Sequence, residues 1–196
     1  MTRPAIYLAS GSPRRRELLA QIGIPFERIT GEVDETPWPQ EGAHTYVERL
    51  ARAKAAAGVA AMRAQGLASR LVLAADTTVA LDDHILGKPI DAADATAMLR
   101  RLSGRVHEVL TGVAVSDGER VLSVISASEV RFRSLSEAEI AAYVATGEPL
   151  DKAGSYGAQG VGAVLIELLS GSFSGVVGLP LAETVTLLQQ FGYAYW

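Results

Sequence analysis

The order of apolar and polar residues along the chain predicts short strands that alternate with amphipathic helices. Continuous apolar runs, which are typical of buried strands, occupy 6–9 and 71–75, and a further buried strand is predicted at 161–169. Further strands are predicted at 25–30, 106–115 and 121–132, with a hairpin turn signal (SDGE) between the last two. Apolar residues recur at helical spacing over 13–22, 45–65, 91–103, 136–146 and 180–191.

Strands and helices that alternate in this way predict an α/β fold. No internal repeat, low-complexity tract or long linker divides the sequence. We therefore expect one domain over 1–196, built as two lobes with a cleft between them.

The stretch 5–23 (AIYLASGSPRRRELLAQIG) predicts a strand, a turn of small residues and a helix that begins at Pro13, with Ser12 as the N-cap. Such a helix start binds anions, because free backbone N–H groups and the helix dipole both point at it. The first turn carries cations that oppose the dipole, and an incoming anion would explain them: Arg14, Arg15 and Arg16. An ordinary strand–helix turn with solvated arginines is the alternative. A Walker A sequence is absent.

The composition of the chain argues against several classes of function. The 196 residues carry a net charge of −4, which argues against a nucleic-acid partner. The sequence has no cysteine, so disulfides and thiolate chemistry are excluded. No apolar run approaches the roughly 18 residues of a membrane helix, and the N-terminus lacks a signal-peptide pattern. We expect a soluble cytoplasmic protein with no membrane partner.

Carboxylates and lysines fall at places where a site would form. The proline-broken loop 31–40 carries Glu32, Asp34 and Glu35. Asp76 ends the buried run 71–75, before a strand resumes at 79–81, and a buried carboxylate there needs a partner or a metal. Several cations, a divalent metal such as Mg²⁺ or Mn²⁺ and a carboxylate base together indicate phosphoryl or nucleotidyl hydrolysis.

Other features carry weaker signals. Lys88 lies between glycine and proline in a fixed loop, where it would hold a phosphate as a point charge. A glycine-spaced loop at 149–160 contains Asp151, Lys152 and Gln159. The small-residue loop 171–178 is either a second anion-binding turn or a site of close packing. His107, alone on its strand, is expected to be structural.

Seven ordered motifs resemble the Maf family of nucleoside triphosphate pyrophosphatases, also called septum-formation inhibitors. They are LASGSPRRRELL (8–19), EVDETP (32–37), ERLARAKA (48–55), AADTTV (74–79), LGKP (86–89), LSGRVHEVLTGV (102–113) and GSYGAQGVGA with SFSGVVGLPLAET (154–184). The resemblance extends from about residue 6 to residue 188, and the motifs are specific as a set.

The resemblance implies a fold like that of inosine triphosphate pyrophosphatase, with an elongated mixed sheet, flanking helices, two lobes and a central cleft. It implies attack of water at the α-phosphorus, which yields a nucleoside monophosphate and pyrophosphate. Asp76 would be the proton acceptor and a metal ligand, and Glu35 the other metal ligand. The positions that match the family's phosphate-binding residues are Ser10, Arg14, Lys54 and Lys88.

The resemblance also implies a base preference. Arg15, Thr77 and Gln159 match the residues of the thymidine and uridine branch, and all three hydrogen-bond well to a pyrimidine edge. The expected substrates are therefore dTTP and UTP rather than 7-methyl-GTP. Thr78 replaces an apolar β-branched residue that many members carry, and it is nearly isosteric.

Several alternatives stay open at this point. A nucleotide-binding regulator of cell division with incidental hydrolysis would need the same cations but no base. A pyrophosphatase for modified pyrimidine nucleotides is a third hypothesis. The sequence does not specify whether Asp76 is base, ligand or both, nor which metal binds, and a homodimer is an expectation that rests on the family alone.

Overall fold

The computed structural model describes residues 3–82 and 84–196. The strands in these ranges are β1 (Ile6–Leu8), β2 (Phe26–Arg28), β3 (Val72–Leu81), β4 (His84–Leu86), β5 (Val106–Ser116), β6 (Val121–Phe132) and β7 (Ile166–Ser170). They form one mixed sheet in the order β2-β1-β3-β5-β6-β7, with β4 paired to β3. β1 pairs in parallel with β2 and β3, and the other pairings are antiparallel. The expected α/β class with a mixed sheet is confirmed.

Six α-helices flank the sheet in the described ranges: α1 (Pro13–Gln21), α2 (Ala43–Ala64), α3 (Ala92–Leu102), α4 (Glu137–Ala145), α5 (Phe173–Val177) and α6 (Leu181–Gln190). Helices α3 and α4 begin where the sequence predicts them. Asp91 caps α3 through its side chain, and Ser136 forms a capping box with Glu139. Across the described ranges, none of the helices has the length and apolar character of a membrane span.

Helices cover both faces of the sheet at its centre. In β1, Ile6 and Leu8 pack with α1 and α6, whereas Tyr7 and Ala9 pack with α2. Adjacent strand residues face opposite sides, so a strand buried on both faces is apolar throughout. This explains the continuous apolar runs of β1 and of the first half of β3. A further apolar cluster, with Phe132 at its centre, joins α3 and α4 to the other half of the sheet.

Two glycines let α2 lie unusually close to the sheet. A Cβ at Gly58 would meet Val72 Cγ1 at 2.7 Å, and a Cβ at Gly112 on β5 would meet the Val47 carbonyl oxygen at 2.5 Å. Both distances are too short for a side chain, so glycine is required at these two contacts. Gly112 pairs directly with Asp76 in the register of β3 and β5. The close approach of α2 therefore takes place beside the predicted catalytic residue.

The structure corrects three local expectations. β3 runs without a break from Val72 to Leu81, so Asp76 lies in the middle of the strand and not at its end. The predicted buried strand at 161–169 is a 3₁₀ turn (Val161–Leu165) followed by the half-exposed edge strand β7. The small-residue loop at 171–178 contains the short helix α5. Hydrogen bonds along β5 carry β3 through the polar residues 76–78, which interrupt the apolar pattern.

His107 is a core residue, as the sequence analysis expects. Its ring is 2% exposed, its Nε2 lies 2.8 Å from Tyr156 Oη, and it contacts Phe132 edge-on. Burial lowers the pKa of His107 from its ordinary value of 6.5 to about 4. The imidazole is therefore neutral in the folded protein at physiological pH.

Replacing His107 with glutamine should reduce the acid sensitivity of the fold. Because the pKa is lower in the folded than in the unfolded state, the unfolded chain takes up the proton first as the pH falls below 6.5. His107 therefore lowers the free energy of unfolding between pH 6.5 and pH 4, by about 3 kcal/mol. Urea unfolding at several pH values should show a flatter profile for His107→Gln than for the wild type. The exposed His44→Gln is the matched control, and equal slopes for all three proteins would contradict this prediction.

Candidate active site

The cleft opens along a free segment of the edge of β3. β1 pairs with β3 at Val72 and Leu73, and β4 pairs with it from Val79 onward. In the described sheet, no strand borders β3 on this side between those pairings. Asp76 and Thr77 face opposite sides of the strand, yet both reach the cleft because the edge is open there. Its volume of about 650 Å³ lies within the usual range of small-molecule sites.

A lysine joins the two predicted metal ligands. Lys54 Nζ lies 2.6 Å from Asp76 Oδ1 and 2.7 Å from Glu35 Oε1. Asp76 is 7% exposed, so its carboxylate needs the opposite charge that α2 brings to it. Lys54 comes from the helix that packs against Gly112, directly across from Asp76.

The acidic loop is tied to the same helix. Tyr46 Oη donates to the Glu35 carbonyl oxygen at 3.0 Å, and Arg49 donates to the Thr36 carbonyl oxygen at 3.2 Å. Burial raises the pKa of Tyr46 to about 12, with smaller contributions from Asp76 and Glu35. The phenol therefore stays protonated and keeps its hydrogen bond. These two contacts explain how Glu35 reaches Lys54 from an irregular loop.

Asp34, whose role the sequence left open, has a local function. Its Oδ1 accepts a hydrogen bond from Thr36 N at 2.9 Å, which stabilises the turn that carries Glu35. Hydrogen bonding by Thr36 holds the pKa of Asp34 below its ordinary value. Asp34 therefore stabilises the loop, and its side chain takes no part in the contact between Glu35 and Lys54.

The carboxylate pair suits a divalent cation. Glu35 and Asp76 present oxygens to a single cationic atom, Lys54 Nζ, so they already converge on one point. Within 3–82 and 84–196, no cluster of three or more acidic or histidine side chains forms a closed metal cage. Mg²⁺ is commonly held by one or two carboxylates together with water and substrate phosphates. The donor set therefore fits a metal that is completed by its substrate.

The start of α1 offers free donors to an anion, as predicted. Ser12 occupies the N-cap, but its side chain makes no capping bond, and the first turn has no acidic residue. Ser10 Oγ accepts bonds from Ser12 N and from Arg15 Nη1. Arg14 faces the cleft and lies 3.8 Å from Asp151 on its other side. This end of the cleft therefore presents backbone N–H groups and a guanidinium.

Arg15 points the other way and holds the site together. Its Nε donates to the Gly178 carbonyl oxygen at 2.7 Å, and its Nη2 donates to Thr77 Oγ1 at 3.1 Å. Thr111 Oγ1 donates to the Gly175 carbonyl oxygen at 2.8 Å and lies 2.9 Å from Thr77 Oγ1. Since the Thr111 proton is already used, the Thr77 hydroxyl donates to Thr111.

This direction of the hydrogen bonds limits what Thr77 can offer to a ligand. Its proton is committed to Thr111, so Thr77 Oγ1 faces the cleft as an acceptor only. Burial lowers the pKa of Arg15, with Asp76 opposing the shift, and the guanidinium remains charged.

The remaining predicted residues line the same cleft. Lys88 and Gln159 are exposed there, and Gly154 N donates to the carbonyl oxygen of Gly87, the residue before Lys88. The structure brings together all nine predicted site residues: Ser10, Arg14, Arg15, Glu35, Lys54, Asp76, Thr77, Lys88 and Gln159. Tyr46 and Thr111 were missed, because a tyrosine or a threonine alone carries no chemical signal in the sequence.

Known proteins resemble this chain over nearly its whole length. A family model described as Maf-like protein matches residues 5–191. The dTTP/UTP pyrophosphatase of Aromatoleum aromaticum is 56% identical over 96% of both chains. The dTTP/UTP pyrophosphatase of Chromobacterium violaceum is 55% identical over 96% of this chain and 95% of its own. A protein of the same name from Escherichia coli is 54% identical over 95% of this chain and 93% of its own.

A solved structure supports the fold. The Ham1 protein of Staphylococcus aureus superposes with a TM-score of 0.52 over 96% of this chain and 97% of its own, at 16% identity. At this identity the likeness concerns the fold alone. It confirms the elongated mixed α/β architecture expected from the sequence.

Replacing Arg15 with lysine should destabilise the protein by about 2 kcal/mol, because a single ammonium group cannot replace three guanidinium donors and leaves buried acceptors unpaired. The three acceptors are Ser10 Oγ, Thr77 Oγ1 and the Gly178 carbonyl oxygen. Urea unfolding measures the loss. Arg16→Lys is the matched control, since Arg16 makes no hydrogen bond to another described residue. Equal stabilities of the two variants would refute the structural role of Arg15.

Proposed function

The chain belongs to the family of Maf-like proteins, and from that premise we propose that it is a nucleoside triphosphate pyrophosphatase that hydrolyses dTTP and UTP. The observation that carries the proposal is the pair of carboxylates, Asp76 and Glu35, held around Lys54 in a cleft whose other end is an anion-binding helix start. Relatives at 54–56% identity over almost the whole chain carry the name of this activity.

The reaction is hydrolysis at the α-phosphorus. A water oxygen attacks the phosphorus, the bond to the bridging oxygen breaks, and nucleoside monophosphate and pyrophosphate result. Asp76 is the proposed proton acceptor for that water, since a carboxylate held on the rigid centre of a sheet is fixed in position. When bound, Mg²⁺ or Mn²⁺ supplies positive charge that offsets the charge of the phosphates.

The cations of the chain neutralise the triphosphate. Arg14, Lys54 and Lys88 line the cleft, and Ser10 lies at its anion-binding end. Charge that develops on the phosphate oxygens during bond breaking is stabilised by donors already fixed in place. Lys54 also lies between the carboxylates of Asp76 and Glu35, and its positive charge offsets their mutual repulsion.

Base selection is proposed to lie with Arg15, Thr77 and Gln159. Thr77 offers an acceptor to the ring N–H that thymine and uracil share, and Arg15 holds Thr77 in place. Gln159 is exposed in the cleft and its amide can both donate and accept. Together these groups match the alternating donors and acceptors of a pyrimidine edge.

Three further expectations stay predictions: a cytoplasmic location, the absence of a nucleic-acid partner and a homodimeric state. The first two agree with a substrate that is a small nucleotide. Sedimentation of the purified protein would determine the third.

Replacing Asp76 with asparagine should lower turnover by roughly 10²-fold or more, because the proton acceptor and a metal ligand are both lost. Pyrophosphate release with Mg²⁺ or Mn²⁺, across a panel of nucleoside triphosphates, measures the effect. We expect the wild type to prefer dTTP and UTP and to lose activity with a chelator.

Asp82→Asn is the control for this experiment, because it makes the same charge change at the exposed end of the same strand. Near-normal turnover by Asp76→Asn would overturn the assignment of Asp76. A wild type that hydrolyses a different base would keep the chemistry and remove the selectivity proposal.

Replacing Gln159 with alanine should lower kcat/KM for dTTP and UTP by about tenfold relative to a purine triphosphate, the loss expected for one or two hydrogen bonds. The phosphate and metal contacts are untouched, so turnover of all substrates at saturation should change little. An unchanged ratio of pyrimidine to purine kcat/KM would show that Gln159 does not read the base.

A further inference from the structure

The glycine-spaced loop that carries Gln159 is wrapped around a carboxylate outside the cleft. Glu148 Oε2 accepts a bond from Val161 N at 2.8 Å, and Glu148 Oε1 accepts one from Gly162 N at 3.0 Å. Both donors lie just after Gln159 in the chain. Glu148 itself follows α4 and does not line the cleft.

The other side of the loop is held through Tyr143. Its hydroxyl accepts a bond from Gly157 N at 3.1 Å and donates to Glu148 Oε1 at 2.9 Å. Tyr143 is buried in the apolar cluster that joins α4 to the sheet. One pair of side chains therefore binds the backbone on both sides of Gln159, and leaves residues 158–160 as a short tip, of which Ala158 and Gln159 line the cleft.

The glycines of this loop fit the carboxylate. A Cβ at Gly160 would collide with Glu148 Oε2, and a Cβ at Gly162 would lie 2.5 Å from Tyr143 Oη. At both positions a side chain would displace the loop from Glu148. The glycines at 160 and 162 are thus explained by close contact with Glu148 and Tyr143.

The bonds are of the strong, charge-assisted kind. Burial by itself raises the pKa of Glu148, but hydrogen bonds from Gly162, Val161 and Tyr143 outweigh it and hold that pKa below its ordinary value. The carboxylate is therefore ionised at neutral pH and accepts from two backbone N–H groups and a phenol at once.

We propose that Glu148, together with Tyr143, is a positioning residue for base selection, which fixes Gln159 against the pyrimidine without touching the substrate. The inference rests on the proposed function, because it assigns Gln159 to the base. A loop tip of three residues, anchored at both ends, presents the Gln159 amide in one place and so loses little entropy when a nucleotide binds.

Steady-state kinetics of Glu148→Ala, Gln159→Ala and the double variant test the proposal. The measured quantity is the ratio of kcat/KM for dTTP to kcat/KM for dATP. We expect each single variant to lower this ratio by about tenfold, and the double variant to lower it no further, because both changes remove the same contact. Glu167→Ala is the matched control: Glu167 is exposed, and it makes no hydrogen bond to the rest of the described chain.

A merely structural role would lower activity toward both substrates equally and leave the ratio unchanged. An unchanged ratio in Glu148→Ala, or fully additive losses in the double variant, would overturn the proposal. If Glu148→Ala does not fold, the same ratio of kcat/KM values is measured for Tyr143→Phe, which removes the hydrogen bond to Gly157 and keeps the aromatic ring in the core. An unchanged ratio in that variant would likewise overturn the proposal.

Amide hydrogen exchange separates this inference from the proposed function. In Glu148→Ala we expect exchange at Val161 and Gly162 to be at least about tenfold faster than in the wild type, and in Tyr143→Phe we expect the same at Gly157, whatever nucleotide the enzyme prefers. Unchanged exchange there would overturn the positioning role. The wild type could also show no preference for pyrimidine triphosphates while the variants still exchange faster. That result would overturn the assignment of Gln159 to the base, and with it the role of Glu148 in base selection.

Discussion

A carboxylate in the middle of a central strand is the constraint on which the rest of the site depends. Asp76 is almost completely buried, so the fold must bring a cation to it. Lys54 does so from α2, and α2 can come close enough because Gly112 lies opposite Asp76 in the register. The same helix holds the acidic loop through Tyr46, which places Glu35 on the other side of the lysine. One arrangement thus satisfies the packing of α2 on the sheet, the register of β3 with β5 and the pairing of the buried charges.

The short length of β1 is equally important for the site. Because β1 ends at Leu8, the edge of β3 lies open beside Asp76 and Thr77, and the chain turns at once into the start of α1. Successive arginines on that helix are rotated by about 100° from one another, so they point in different directions. Arg14 faces the cleft, whereas Arg15 faces inward to Thr77. Neighbouring residues of one motif therefore lie in different surroundings, which is what their proposed roles toward the phosphates and the base require.

Local patterns were enough to predict most elements, and the family resemblance indicated the side chains that meet in the cleft, whereas long-range contacts could not be predicted. The starts of α1 and α4 depend on neighbours in sequence, and both are confirmed. The continuation of β3 through Asp76 depends on pairing with β5, which the apolar pattern does not show. The predicted buried strand at 161–169 was wrong because Glu148 binds the backbone there and turns it into a 3₁₀ segment. The link from Arg15 to Thr111 joins residues far apart in the chain, so no local motif contains it.

The two ends of the cleft rest on different parts of the core. The carboxylates and Lys54 are fixed by α2 and the centre of the sheet, whereas the loop with Gln159 is fixed by Tyr143 and Tyr156 from the cluster beside α4. Mutations that repack one cluster leave the other nearly unchanged, since distant sites are close to additive. Under the roles proposed for Gln159 and Asp76, base preference can therefore change through the loop at 157–162 and its support while the phosphate chemistry at Asp76 stays the same. The division of the core into two clusters is what allows the two proposed roles to vary independently.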